Sequence, residues 1–363
     1  MNLSEYLDIA PYSLNKEQKQ SLLTSELNNL VKLHTENSSE YRDILQAYGL
    51  EGKVFDTIED FPTLPVRLFK QYELKSCSDE QVIKTLTSSG TTSQQVSKIF
   101  LDSQTSTLQT KALVKIMQEY LGKKRLPMLI IDTKNILKDR KIFSARGAGI
   151  LGLSNFGRKH TYALDENMQI DLDTIERFLE EHRGEKILIF GFTFMIWQYF
   201  YKDLKERDIK LDLSNSILIH SGGWKKLVQE AVSNSIFKES LKKQVGIEKI
   251  HDFYGMVEQV GSIFVECEHG YLHTPIFADV ITRDSMSLAP LKFGEEGIIE
   301  VVSILPRSYP GHILLTEDIG TIVGEDNCPC GKLGKYFTIK GRLPKAEIRG
   351  CSDTHAYDTK EGK

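Results

Sequence analysis

No run of apolar residues in this 363-residue chain is long enough to cross a bilayer. The start, Met1-Asn2-Leu3-Ser4-Glu5, has neither the basic opening nor the apolar stretch of a secretory signal. Surplus charge is missing too: 46 Lys and Arg stand against 50 Asp and Glu, a net −4, so no bulk attraction to nucleic acid or an anionic membrane is expected. Cysteine is scarce and odd in number, five in all, and Cys328-Pro329-Cys330 lie too close together for a routine structural disulfide. Such thiols suit a reducing cytoplasm, with metal binding or chemistry as their use. Internal repeats and low-complexity segments are absent, as is the Gly-x-x-x-x-Gly-Lys-Ser/Thr loop of P-loop NTPases. What remains, 40% hydrophobic and 26% charged residues, is the composition of a globular protein with room for two or three domains or subdomains. The expected setting is cytoplasmic, with neither membrane nor nucleic acid as partner.

The chain changes texture along its length. Asn15 is placed to cap a helix whose Leu23, Leu27, Leu30 and Val31 share a face, and Ser39 to cap a second, Glu40 to Tyr48, stopped by Gly49. Beyond Thr85, apolar runs alternate with helical patterns. Pro127 to Ile131, Lys186 to Phe190 and Ser216 to His220 read as buried strands, separated by helices such as Asp173 to Arg183 and Phe194 to Glu206. That rhythm predicts an α/β domain with a largely parallel sheet. Past about Gly270 short strands and turns take over, among them Gly297 to Val302 and His312 to Leu315. The expected divisions are a helical segment over 1–80, an α/β nucleotide-binding core over 81–265, a β-rich subdomain over 266–342 and a short tail over 343–363.

The polar segments between these elements carry the chemistry. Ser88-Ser89-Gly90-Thr91-Thr92 falls between two strand-like runs, Val82 to Leu86 and Val96 to Phe100. Glycine lets backbone approach a ligand closely, and successive N–H groups in such a turn form a concavity for anions, so the loop suits phosphates. The same residues also make an ordinary polar turn. Ser221-Gly222-Gly223-Trp224-Lys225 follows a strand; its glycines admit a flat ring or a phosphate, and Lys225 can add positive charge. In His251-Asp252-Phe253-Tyr254-Gly255-Met256-Val257-Glu258 an aromatic beside a glycine can stack on a purine, and the carboxylate of Glu258 can hold Mg²⁺. Asp318, read as lying after a strand, is an acceptor for ribose hydroxyls or a common turn aspartate.

The order of these segments is more specific than any one of them. Ser-Ser-Gly-Thr-Thr, then Tyr254-Gly255-x-x-Glu258, then Thr316-x-Asp318, then Gly341-Arg342 resembles the motif order of adenylate-forming ligases, from Thr87 to Arg342. Within that superfamily, Phe61-Pro62-Thr63-Leu64-Pro65-Val66-Arg67-Leu68-Phe69-Lys70, Gly222-Gly223-Trp224-Lys225 and Gly350-Cys351-Ser352 resemble the acyl-protein synthetases of bacterial luminescence. Cys328-x-Cys330-Gly331, with Glu266-Cys267 and His273, is similar to the related phenylacetate–CoA ligases. The resemblance implies the ligases' large-domain architecture: a helical N-terminal part, a parallel-sheet core and a β-rich C-terminal subdomain. The chain stops at Lys363, soon after Arg342, so the small C-terminal domain of ordinary members, with its adenylating lysine, is expected to be missing. Lys225 or Lys345 is the candidate replacement.

The resemblance also implies roles. Ser88, Ser89, Gly90, Thr91 and Thr92 would bind the triphosphate of ATP, while Ser221, Gly222 and Gly223 with Tyr254 and Gly255 would surround adenine. Glu258 would hold Mg²⁺, Asp318 the ribose, and Arg342 ribose or phosphate. Cys267, His273, Cys328 and Cys330 form a Cys₃His set for a structural Zn²⁺, with His269 as the alternative to His273. Cys351 stands apart, with Arg349 and Lys345 near it in sequence to favour its thiolate. An acyl-adenylate is a mixed anhydride, so thiolate attack expels AMP and leaves a thioester. The expected activity is an acyl-protein synthetase that activates a carboxylic acid, a fatty acid by the resemblance, as acyl-AMP. It then loads the acyl group on Cys351 for an acyl-CoA reductase or other acceptor. Gly191-Phe192-Thr193-Phe194-Met195-Ile196-Trp197 is the expected acid pocket, or else simply a core helix start. The alternatives are an acyl- or aryl-CoA ligase and a non-catalytic acyl-binding scaffold.

Overall fold

A computed structural model describes residues 3–88, 96–137, 145–224 and 229–343. The chain forms two compact units, Met1–Leu113 with Gly255–Ser262 and His273–Lys363, and Val114–Tyr254 with Ile263–Leu272. Among the described residues no helix is long and apolar enough to cross a membrane.

In the first unit a single helical turn, Leu3–Tyr6, precedes the long helix Lys16–Asn37. Asn15 starts it: its side chain accepts the N–H of Gln18, and the Gln18 side chain accepts the N–H of Asn15, satisfying two donors that the first turn leaves over. Leu23, Leu27 and Leu30, spaced to share one face, are fully buried. Ser38 then ends this helix and caps the next, Ser39–Ala47, through a bond from the Tyr41 N–H. The expected cap was Ser39. The hydroxyl of Ser39 is taken instead by Glu40, and its backbone already belongs to the helix.

The strands of this unit are Ala278–Arg283, Glu296–Ser303, Ile313–Glu325 and Lys335–Arg342, each antiparallel to the next, with Leu64–Pro65 parallel to Ile313–Glu325. A separate hairpin pairs Lys84–Thr87 with Lys98–Leu101. Buried charge ties the helix to the sheet. Asp279 accepts Lys335 Nζ at 2.9 Å and lies 3.4 Å from Lys19 Nζ, with all three residues nearly inaccessible to solvent. Lys19 also donates to Thr274 Oγ1 at 2.6 Å. Arg283 and Glu300 make a second buried pair at 2.6 Å, and Arg283 reaches the carbonyl of Glu59. Charges taken out of water survive only when paired in this way.

The second unit is the parallel sheet. Its strand order is Gly157–Leu164, Leu126–Thr133, Ile187–Phe192, Ser216–Ser221, Lys249–Tyr254, all parallel, closed by Phe264–Glu266 running antiparallel to the last. Leu126–Thr133, Ile187–Phe192 and Ser216–Ser221 carry continuous apolar runs at 128–131, 187–190 and 217–219 because both their faces are covered. The helix Leu172–Glu181, the continuous helical stretch 193–206 and the helix Asn234–Val245 contribute Phe178, Phe200 and Phe237 to the core. Residues Ile196–Tyr201 within the middle helix wind as a π-helix. Lys249–Tyr254 departs from the sequence expectation, which treated His251 to Tyr254 as loop. It continues the ladder, with Ile219 opposite His251 and Ser221 opposite Phe253. Its polar residues escape an apolar-run criterion because this strand is only partly covered.

Candidate active site

In the first unit the polar motifs converge through a chain of neighbours. The hairpin that carries the Ser-Gly-Thr loop is pinned at its neck: Ser88 N–H donates to the Ser97 carbonyl at 3.1 Å, and Ser97 N–H donates to Ser88 Oγ at 2.9 Å. Ser89, Gly90, Thr91 and Thr92 lie outside the described residues. Ser97, fully buried, stands beside Glu258, which is 6% exposed on the one-turn helix Val257–Gln259. Burial pushes the Glu258 carboxyl above its ordinary pKa, while the Ser97 side chain and the positive charges of Lys70 and Arg342 pull the other way. Arg342 pairs with Asp318, Nε to Oδ1 at 3.4 Å, the two being register partners on adjacent strands.

Asp318 is not at a strand end, as the sequence suggested, but inside Ile313–Glu325. The ladder with Glu296–Ser303 shifts there: Leu315 faces Glu300 and Ile319 faces Ile298, so Thr316, Glu317 and Asp318 bulge from the sheet. The Thr316 hydroxyl fills the gap, donating to the Ile299 carbonyl at 2.6 Å and accepting the Asp318 N–H at 3.1 Å. A bulge re-aims side chains, which is how an aspartate within a strand comes to face Arg342.

Gln259 is a functional candidate the sequence reading missed. It is buried, and its amide donates to the carbonyls of Val301 at 3.1 Å and Gly311 at 2.9 Å, fixing the turn that presents Glu258. A Cβ on Gly311 would come 2.8 Å from the Glu258 carbonyl, so that position is restricted to glycine. A polar residue directly after the Tyr-Gly-x-x-Glu motif was the available signal.

In the second unit the candidates sit at the carboxyl ends of neighbouring parallel strands, where open α/β sheets bind ligands. Side chains reinforce the ladder at its last backbone pairs. Ser221 Oγ donates to the Phe253 carbonyl at 2.8 Å, and Thr193 Oγ1 donates to the Ser221 carbonyl at 3.3 Å. His220 Nδ1 lies 2.9 Å from Thr193 Oγ1. Burial, with Lys238 and His251 nearby, pushes the His220 pKa down to about 3, so the ring is neutral. Thr193 lies within the expected acid pocket, whereas His220 was read only as the end of a buried strand because it closes an apolar run. Gly222 follows at φ 85°, a conformation that favours glycine. Tyr254 ends its strand with its ring stacked on Phe264, centroids 6.2 Å apart. Trp224 meets Trp197 edge-on. Lys225, Lys345 and Cys351 lie outside the described residues.

Three of the expected zinc ligands lie in the first unit. His273 Nε2 lies 3.3 Å from Cys330 Sγ, and the ligand atoms of His273, Cys328 and Cys330 fall within 4.8 Å of one another. The His273 ring is fully buried, stacked on Tyr336 and edge-on to Tyr12. Cys267 is buried in a tight turn of the second unit, where the Gly270 N–H donates to its carbonyl. His269, in that turn, is exposed. Soft sulfur and imidazole donors at this spacing fit zinc, whose bonds to sulfur are about 2.3 Å.

The profile described as "Acyl-protein synthetase, LuxE" matches residues 4–358. Two curated relatives carry the name long-chain-fatty-acid–luciferin-component ligase. The one from Vibrio harveyi is 24% identical over 348 residues, 92% of this chain and 88% of the relative. The one from Aliivibrio fischeri is 23% identical over 356 residues, 94% and 90% respectively. Among solved structures, an open conformation of 2-hydroxyisobutyryl-CoA ligase in complex with 2-HIB-AMP and CoA superposes with a TM-score of 0.68 at 13% identity, covering 91% of this chain and 71% of that one. The same ligase in its postadenylation state gives 0.67. At such identity the superpositions establish the fold, that of adenylate-forming ligases, and the profile establishes the family: the chain belongs to the acyl-protein synthetase (LuxE) family of ATP-dependent acyl-activating ligases.

Proposed function

We propose that the protein activates a long-chain fatty acid as its acyl-adenylate and transfers the acyl group to Cys351, from which a reductase or other acceptor takes it. The acid carboxylate attacks the α-phosphorus of ATP and pyrophosphate leaves. The Cys351 thiolate then attacks the acyl carbonyl and AMP leaves, so each step breaks one bond and forms one. The observation that carries the reading is the linked set Ser88, Ser97, Glu258, Arg342 and Asp318 in one unit. The Ser88–Thr92 loop takes the phosphates, Asp318 and Arg342 the ribose and phosphate side, and Ser221, Gly222, Gly223, Tyr254 and Gly255 the adenine. Lys225 or Lys345 supplies positive charge during adenylation. A buried carboxylate whose desolvation the nearby charges do not offset suits a Mg²⁺ ligand, and Mg²⁺ bound to Glu258 would neutralise charge developing on the phosphates. The fatty-acid assignment follows the names of the two relatives. Acid-dependent exchange of pyrophosphate into ATP, strongest with long-chain acids, is the expected result. Activity only with CoA present, or none with any acid, would reject the reading.

The thiol cluster is assigned to a structural zinc. Cys267, six residues before His273 in the chain, joins His273, Cys328 and Cys330 as the fourth ligand. A closed set of four protein donors leaves no position for substrate, so the ion holds turns together and takes no part in the chemistry. Metal analysis of protein purified without chelator should find near one zinc per chain, and a Cys328→Ser/Cys330→Ser double variant should lose both zinc and solubility. Zinc retained by that variant would place the ion elsewhere.

A further inference from the structure

We propose that Phe192 sets the acyl chain length the enzyme accepts, its ring standing at the carboxyl edge of the parallel sheet in room left by two glycines. The inference rests on the adenylation reading above, and on that edge receiving the acid.

Phe192 is the last residue of Ile187–Phe192 and shares a face with Phe190, two positions earlier. Phe190 is fully buried, whereas Phe192 is only half-buried. The ring is bordered on two sides by positions that carry no Cβ. A Cβ on Gly149, in the helix Ala145–Ser154, would come 2.9 Å from Phe192 Cζ and 3.3 Å from Cε2. A Cβ on Gly222, in the loop after the neighbouring strand, would come 3.0 Å from Cδ1. Two separate elements therefore each keep glycine against one ring. Glycine inside a helix is unfavourable relative to alanine, so Gly149 spends local stability to leave that room.

The surroundings make this ring a fixed wall. The bonds of Thr193 to the Ser221 carbonyl and to His220 hold the chain directly after it. The π-helix Ile196–Tyr201 begins four residues later, and such widened turns occur frequently at functional sites. Ligands of open α/β sheets lie outside the carboxyl ends of the strands, the position Phe192 occupies. A hydrocarbon chain lying along this edge meets an aromatic ring that neither flank can follow if it moves. Each further methylene admitted to an apolar site favours binding by about fourfold, so removing the wall changes selectivity among chain lengths rather than activity as a whole.

The test measures kcat/KM for pyrophosphate exchange with saturated acids of increasing length, using the full chain. Phe192→Ala should raise the ratio for a sixteen-carbon over a ten-carbon acid by about tenfold or more. Phe192→Leu should move it in the same direction by less, and is included so that a folding defect in the alanine variant does not decide the outcome. Gly149→Ala, which displaces the ring without touching the acid, should move the ratio as well. If the leucine and glycine variants scale every acid equally, Phe192 is a packing residue and the proposal is overturned. If the wild type exchanges with no acid, the adenylation reading itself fails, and this inference with it.

Discussion

Replacing Cys351 by serine should abolish covalent acylation of the chain while leaving acid-dependent pyrophosphate exchange intact. The two half-reactions draw on different groups. Adenylation needs the acid, ATP, Mg²⁺ and the phosphate-facing residues, none of which is a thiol. Transfer needs a thiolate, because a serine hydroxyl is a far weaker nucleophile without a base to activate it. The other cysteines are poor substitutes. Cys267 and Cys328 are buried, and Cys330 is engaged with His273. Cys77 is half-buried, and desolvation, reinforced by the carboxylate of Asp102, pushes its thiol pKa up, so little thiolate forms near neutrality. Wild type incubated with ATP and labelled acid should carry a label that neutral hydroxylamine strips, as a thioester requires. A Cys77→Ser variant should behave as wild type, and Cys351→Ser should label at least about a hundredfold more slowly, if at all, and then as a hydroxylamine-resistant ester. Equal and equally labile labelling of Cys351→Ser would put the nucleophile elsewhere. Acyl-CoA formed on adding CoA, without any labelled chain, would make the protein a CoA ligase.

How much of this is legible in the amino-acid sequence depends on whether the relevant force is local. The helix at Lys16 was visible because Asn15 and the leucine spacing lie within a few turns of one another. The three central strands were visible because burial on both faces demands continuous apolar sequence. The fourth, Lys249–Tyr254, was not, since a partly covered strand can carry His251 and Asp252 without penalty. The Asp279 cluster was invisible for another reason: Lys19 and Lys335 are ordinary surface residue types, separated from Asp279 by 260 and 56 positions, and only the fold makes them buried partners. The motif order identified the superfamily, but Asp318 at a strand end was a misreading that the bulge at Thr316 explains. Gln259 and His220 act by bonding to backbone carbonyls or to another side chain, and such partners leave no pattern in sequence spacing. Glycine is the subtler case. Gly149 and Gly222 look like ordinary punctuation until the ring of Phe192 shows what a Cβ would strike.

Glu258→Gln should lower the rate of pyrophosphate exchange by roughly a hundredfold or more while leaving the protein as stable as wild type, or more so. The two halves of this expectation come from the same burial. A carboxylate that is 6% exposed bears a desolvation penalty that the charges of Lys70 and Arg342 do not offset, so its pKa stays raised. Replacing it with a neutral amide of the same shape removes that penalty, so the thermal midpoint should hold or rise. Gln259 and Gly311 still fix the turn, which keeps the substitution local. What the amide lacks is the negative charge that holds Mg²⁺ against the phosphates, an interaction worth most in a site shielded from water. A structural residue behaves differently, losing stability and activity together. The measurement is therefore a pair, exchange rate at saturating ATP over a range of Mg²⁺ concentrations and a thermal melt on the same preparation. Lost exchange with an unchanged or higher midpoint, relieved in part by excess Mg²⁺, is the expected pattern. Full exchange with unaltered Mg²⁺ dependence would show that Glu258 does not serve the metal, and would leave its burial as a matter of packing.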